Sequence, residues 1–172
     1  MHHFPSKQHL LVALADYRLK QGSLWKTESG RLNDEDDFGF WRGIVEVNRR
    51  LINKPGFIEL FVIVAFEAAD PTSPVHSLYQ QRYDEVIGIV AQHYQDGIDR
   101  GIFRPDIDCT LLGSESIAVS DGLQLQWALS DGKRDLVHGI REFHERQLSA
   151  IVLPGITVDL SPLPKTRATA KA

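Results

Sequence analysis

Residues 56–86 read "GFIELFVIVAFEAADPTSPVHSLYQQRYDEV", and this stretch decides the fold class. From Phe57 to Ala69 the chain is apolar at almost every position, which predicts a helix with no polar face, of the kind found at the centre of a bundle. Asp70 to Pro74 then breaks it, because Pro71 and Pro74 lack a backbone N–H and hold φ at about −65°. Pro74 suits the start of a new helix. Beyond it Val75, Leu78, Tyr79, Arg82, Val86, Ile89 and Val90 recur at three- and four-residue spacing, which predicts a long helix to about Gly101. The period is helical on both sides of the break. No hairpin dipeptide flanked by alternating residues argues for strands.

The same spacing extends outward. Ser6 can cap a helix carrying Leu10, Leu11, Leu14 and Tyr17, with Gly22 as its stop. A second helix is expected from about Asp34 to the "NKPG" at 53–56, with Phe38, Trp41, Val45, Asn48 and Ile52 on one line and Phe40, Ile44, Val47 and Leu51 on another. Two further helices are expected, from about Asp108 to Leu129 and from about Lys133 to Ile151. The expectation is an all-α bundle of about six helices.

The composition suits one compact domain: 172 residues, 42% hydrophobic, 24% charged, with a net charge of −4. An acidic balance leaves no electrostatic footprint for nucleic acid over the whole chain. A single cysteine, Cys109, excludes an internal disulfide and a cysteine zinc cluster, and a reduced, cytoplasmic setting is expected. The apolar run at 57–69 is interrupted by Glu59 and too short to cross a bilayer, and the N-terminus does not read as a secretory signal. Residues 156–172, rich in Pro, Ala and Lys toward the end, are expected to form a disordered tail.

Enzyme signatures are absent. Ser114, Ser116 and Ser120 have no G-x-S-x-G context, and no glycine-rich phosphate loop occurs. Neither H-E-x-x-H nor a calcium loop is present, so no metal or cofactor is expected. His93 and His144 read as surface or interface residues. The acids 34–37 read as favouring a helix start through the helix dipole.

Three stretches resemble the tetracycline-repressor (TetR) family of bacterial transcription regulators. "HHFPSKQHLL" at 2–11 is similar to the family's Y-x-F-x-x-K-x-x-L signature, with Phe4, Lys7 and Leu10 at its anchors. The stretch at 56–86 resembles the opening of the regulatory domain in one branch. "GIDRGIFRPDID" at 97–108 and "SDGLQLQWALSDGKRDL" at 120–136 resemble that branch's linker and its D-G-L-x-L-Q helix.

The resemblance implies a division of the chain. Residues 1–20 would be a remnant of the DNA-binding unit, with His3 and Lys7 at family positions near DNA phosphates, and residues 21–155 a ligand-binding and dimerisation domain. The family's recognition helix has no usable counterpart, so operator DNA is expected as a partner only of a full-length form. Trp41, Phe61, Tyr79, Tyr83 and Gln124 would line a pocket for a hydrophobic or aromatic small-molecule effector. Arg82 and Glu115, charges on inward lines, would pair with each other, meet a ligand or turn outward. Leu123, Trp127, Leu136, Ile140 and Phe143 would form a homodimer interface through the last two helices, with packing inside the chain as the alternative. The function implied is a transcriptional repressor. The alternatives are a protein that heterodimerises with a full-length regulator, and a helical small-molecule-binding protein that does not bind DNA.

Overall fold

The structure is a computed structural model, and it describes residues 4–22 and 36–162. Among the described residues there are six α-helices: α1 Lys7–Gly22, α2 Gly39–Leu51, α3 Phe57–Ala68, α4 His76–Asp99, α5 Cys109–Leu129 and α6 Leu136–Ser149. The only pairing of extended backbone among them is an isolated antiparallel bridge between Phe103 and Val152. The protein is an all-α bundle, and none of its described helices is long and apolar enough to cross a membrane.

Side-chain caps and turns set the helix ends. Asp108 accepts from the Leu111 amide at 2.9 Å and Asp135 from the His138 amide at 2.9 Å, so α5 and α6 each begin just after an aspartate. At the end of α4, Gly101 has φ +69°, and the amides of Gly101 and Ile102 return to the carbonyls of Ile98 and Gly97 at 2.9 and 2.8 Å. These two bonds satisfy carbonyls that the helix end would leave unpaired, and glycine takes the left-handed step at no steric cost.

Contacts along the helices fix their directions. Tyr94 meets Ser116 while Tyr83 meets Asp121, so α4 and α5 run antiparallel. They approach closely at Gly113, where a Cβ would stand 2.9 Å from the Ile87 carbonyl oxygen. Gln147 meets Ser116, and Gly139 lies beside Leu123, so α6 is antiparallel to α5.

Three apolar clusters fill the space between helices. The first joins Phe38 and Trp41 to Tyr94, Phe103, Leu148 and Leu160. The second joins Val45 and Ile58 to Leu136, Val137 and Ile140. The third lies where α1 crosses α3 and α4, and contains Ala15, Phe61, Val64, Val75 and Tyr79.

Several expectations need correcting. The helix at 57–69 is not enclosed: Ile63 and Phe66 on α3 are 64% and 65% exposed. An apolar side chain is free to lie at the surface, so an all-round apolar pattern does not by itself make a helix central. Residues 156–162 are not a free tail. Leu160 is buried in the first cluster, its amide donates to Glu145 at 3.1 Å, and the Arg42 guanidinium donates to the Asp159 carbonyl. That guanidinium is itself oriented by Asp36, at 2.9 Å to each carboxylate oxygen, and it holds the Asp36 carboxyl below the usual range. The boundary expected at residue 20 falls inside α1. Residues 163–172 of the expected tail lie outside the described residues.

Candidate functional site

The first cluster holds more rings, but the third is the one that sets a charged side chain, Arg82, against stacked aromatic rings. The rings of Phe61 on α3 and Tyr79 on α4 stack with centroids 6.3 Å apart and 24° between planes. Both are buried, and α1 closes this side with Ala15 and Leu11. One turn along α4, the spacing that put Tyr79 and Tyr83 on one face also brings in Arg82. Its Cζ lies 4.9 Å from the Phe61 centroid and 5.0 Å from the Tyr83 centroid. Such contacts attract a cation to the ring faces but satisfy none of its N–H groups. Nη1 of Arg82 is buried and has no hydrogen-bond partner.

Tyr83 connects this group to α5. Its hydroxyl donates to the Asp121 carboxylate at 2.6 Å. Burial pushes the phenol well above its ordinary range, and the adjoining Asp121 carboxylate pushes it further, so the proton stays on Tyr83. The site therefore holds one cation within an aromatic wall, and a carboxylate already engaged by a tyrosine.

The five expected pocket residues divide among three places. Phe61, Tyr79 and Tyr83 come together as described. Trp41 stands in the first cluster, 5.2 Å from the Tyr94 ring and edge-on to Phe40 at 5.4 Å. Gln124 is buried beside Asn48, to whose carbonyl oxygen it donates at 3.4 Å, while Asn48 donates to the Ile44 carbonyl at 2.9 Å. The five expected together are thus not brought to one place: Phe61, Tyr79 and Tyr83 meet on α3 and α4, with Asp121 of α5 beside Tyr83. Of the two inward charges, Glu115 is exposed and approached by the Gln147 amide at 3.5 Å, so it is not the partner of Arg82.

The expected interface residues also divide. Leu136 and Ile140 are 2% and 0% exposed in the single chain, because Val45 and Ile58 pack with them in the second cluster. They are correctly read as intramolecular core and offer no surface to a partner. Leu123 and Trp127 pack partly against the same cluster, and Phe143 is half-buried. His3 lies outside the described residues. Lys7 opens α1, and its side chain is likewise outside them.

Sequence reading missed a second polar group. Tyr94 donates to the Gln147 side-chain carbonyl at 2.6 Å, and Ser116 reaches the same oxygen at 3.2 Å. One turn before Gln147, His144 is wholly buried rather than at the surface, with no hydrogen-bond partner at either ring nitrogen. Burial lowers its pKa to about 4, with Gln147 opposing, so the ring is neutral. The signal that could have found Tyr94 is its place on the line Val86, Val90, Tyr94; Ser116, Gln147 and Asp121 carry no local signal. His93, also half-buried, stacks on Phe40 with centroids 3.6 Å apart.

An open groove of about 370 Å³ runs beside α1, between Tyr17 and the turn into α3, and is lined by Lys54, Pro55, Phe57 and Leu60 among others. It contains none of the expected pocket residues. Among the described residues no group of three or more His, Cys, Asp or Glu is placed to hold a metal ion. No protein-family model matches the chain, and no curated protein matches it.

Proposed function

We propose that this chain is the effector-binding and dimerisation domain of a TetR-like transcriptional repressor. It would work in the cytoplasm, bind rather than turn over its ligand, and act as a homodimer through the outer faces of α5 and α6. Operator DNA would be bound by a form that carries a helix-turn-helix. The effector would be a hydrophobic or aromatic small molecule at Phe61, Tyr79, Arg82 and Tyr83.

One observation carries this reading. Ala15 of α1 is buried in the same cluster as Phe61 and Tyr79. The helix that opens with the DNA-unit resemblance therefore shares its packing with the aromatic wall of the site. A ligand that binds one placement of α1 better than another shifts the population between them, by no more than its difference in affinity. Packed interiors transmit such a displacement because they have little free volume.

Hydrogen exchange tests the coupling directly. A saturating aromatic ligand, 2-naphthoate as a first probe, should raise the melting temperature by binding the folded state and slow exchange of the amides from Leu11 to Tyr17. Binding that leaves α1 exchange unchanged would refute the coupling. A failure of any aromatic probe to bind would refute the site.

A further inference from the structure

Arg82 is half-buried, its Nη1 is turned into the protein, and among the described residues no anion meets it. Its Cζ is held 4.9 and 5.0 Å from the ring centroids of Phe61 and Tyr83, which fixes the position of the head. Nη1 is removed from solvent and donates to nothing, and among the described residues no carboxylate forms an ion pair with the side chain. A buried N–H of a charged group is costly to leave unbonded. The acid in the same cluster, Asp121, receives the Tyr83 hydroxyl at 2.6 Å. The cluster thus presents a donor that wants an acceptor, next to a stacked pair of buried rings.

From this arrangement we infer that the effector is a singly charged aromatic carboxylate, its carboxylate received by Arg82 Nη1 and its ring laid beside the half-buried Tyr83, at the edge of the Phe61–Tyr79 stack. This rests on the effector-site reading above and specifies the ligand's chemistry. The planar guanidinium suits a planar carboxylate, whose charge also strengthens the hydrogen bond. A doubly charged phosphate fits worse. The Asp121 carboxylate, which receives the Tyr83 hydroxyl, repels a second negative charge. A neutral ligand of the same shape would leave the Arg82 charge without a counter-ion in an aromatic enclosure.

The test compares 2-naphthoate with 2-naphthamide, which keeps the ring and the planar head but not the charge. Titration calorimetry on the full chain should give binding of the acid at least tenfold tighter than of the amide. Arg82→Gln should weaken the acid at least tenfold and the amide less than twofold, and Arg82→Lys should recover part of the loss. Should Arg82→Gln fail to fold, the acid-to-amide ratio of the unmodified chain still decides the matter. Equal binding of acid and amide would overturn the carboxylate inference while leaving an aromatic site in place. No binding of either would overturn the site as well.

Discussion

The hydroxyl of Tyr94 donates to the side-chain carbonyl of Gln147 at 2.6 Å, joining α4 to α6 at the level where Ser116 of α5 reaches the same oxygen. Tyr94 is wholly buried, and burial raises its pKa to about 12, so it remains a donor at neutral pH. Tyr94→Phe removes the donor and leaves the Gln147 carbonyl the longer contact to Ser116, whose single proton also reaches the Leu112 carbonyl at 2.8 Å, and should cost about 1 kcal/mol. Gln147→Leu leaves the buried Tyr94 hydroxyl with only its 3.3 Å contact to Ser116, and should cost more, up to about 3 kcal/mol. Urea unfolding of the two variants gives the order; the reverse order would contradict this account of the network.

His144 makes stability depend on pH. Its folded pKa of about 4 lies below the ordinary 6.5, so between those values the unfolded chain binds the proton more readily. The stabilising preference for the neutral ring is complete above pH 6.5 and is lost as pH falls toward 4. Replacing His144 with Leu should flatten the fall in unfolding free energy across that window. Parallel stability curves for His144→Leu and the unmodified chain would show that the ring is not buried neutral.

Gly97 and Gly88 should respond oppositely to alanine. A Cβ on Gly97 would lie 2.2 Å from the ring of Phe103, which is 1% exposed and packed against Trp41 and Tyr94. The overpacking cost of about 1–3 kcal/mol should exceed the gain in helix propensity of up to about 1 kcal/mol. At Gly88 a Cβ meets nothing within 4 Å, so Gly88→Ala should keep the gain. Thermal melts of both variants check the sign of each.

Leu160→Ala tests the segment after α6. Leu160 is 1% exposed among Phe38, Trp41 and Leu148, so truncation should cost about 2 kcal/mol or more through the cavity left behind. A melting temperature equal to that of the unmodified chain would mean that 156–162 does not stay on the core.

Assembly and folding should separate at α6. Ile140→Ala removes a fully buried side chain of the second cluster and should destabilise the protein by about 2–5 kcal/mol. Phe143 is half-buried, and Phe143→Glu should shift the proposed dimer toward monomer in light scattering with a smaller effect on melting. A dimer unaffected by Phe143→Glu would place the interface elsewhere.

Helix existence was legible from the chain alone because it depends on near neighbours. Spacing of three and four residues marked the buried line Phe38, Trp41, Val45 and Asn48 along α2, while Ile44, Val47 and Leu51 of the second line are only half-buried; Pro71 and Pro74 marked the break before α4, and Gly101 marked its end. That local chemistry also singled out Phe61, Tyr79, Arg82 and Tyr83, three of them as pocket residues and Arg82 as an inward charge. Partnership belonged to the tertiary structure. Asp121 meets Tyr83 from 38 residues away, and Trp41 goes to Tyr94 rather than to Tyr79. Ile63 and Phe66 face outward, while Leu136 and Ile140 close on Val45 and Ile58. Hydrophobicity favours burial without choosing the neighbour, and one helix face fits several others equally well by pattern. The choice is made only when the helices pack together and each side chain fills the space the others leave.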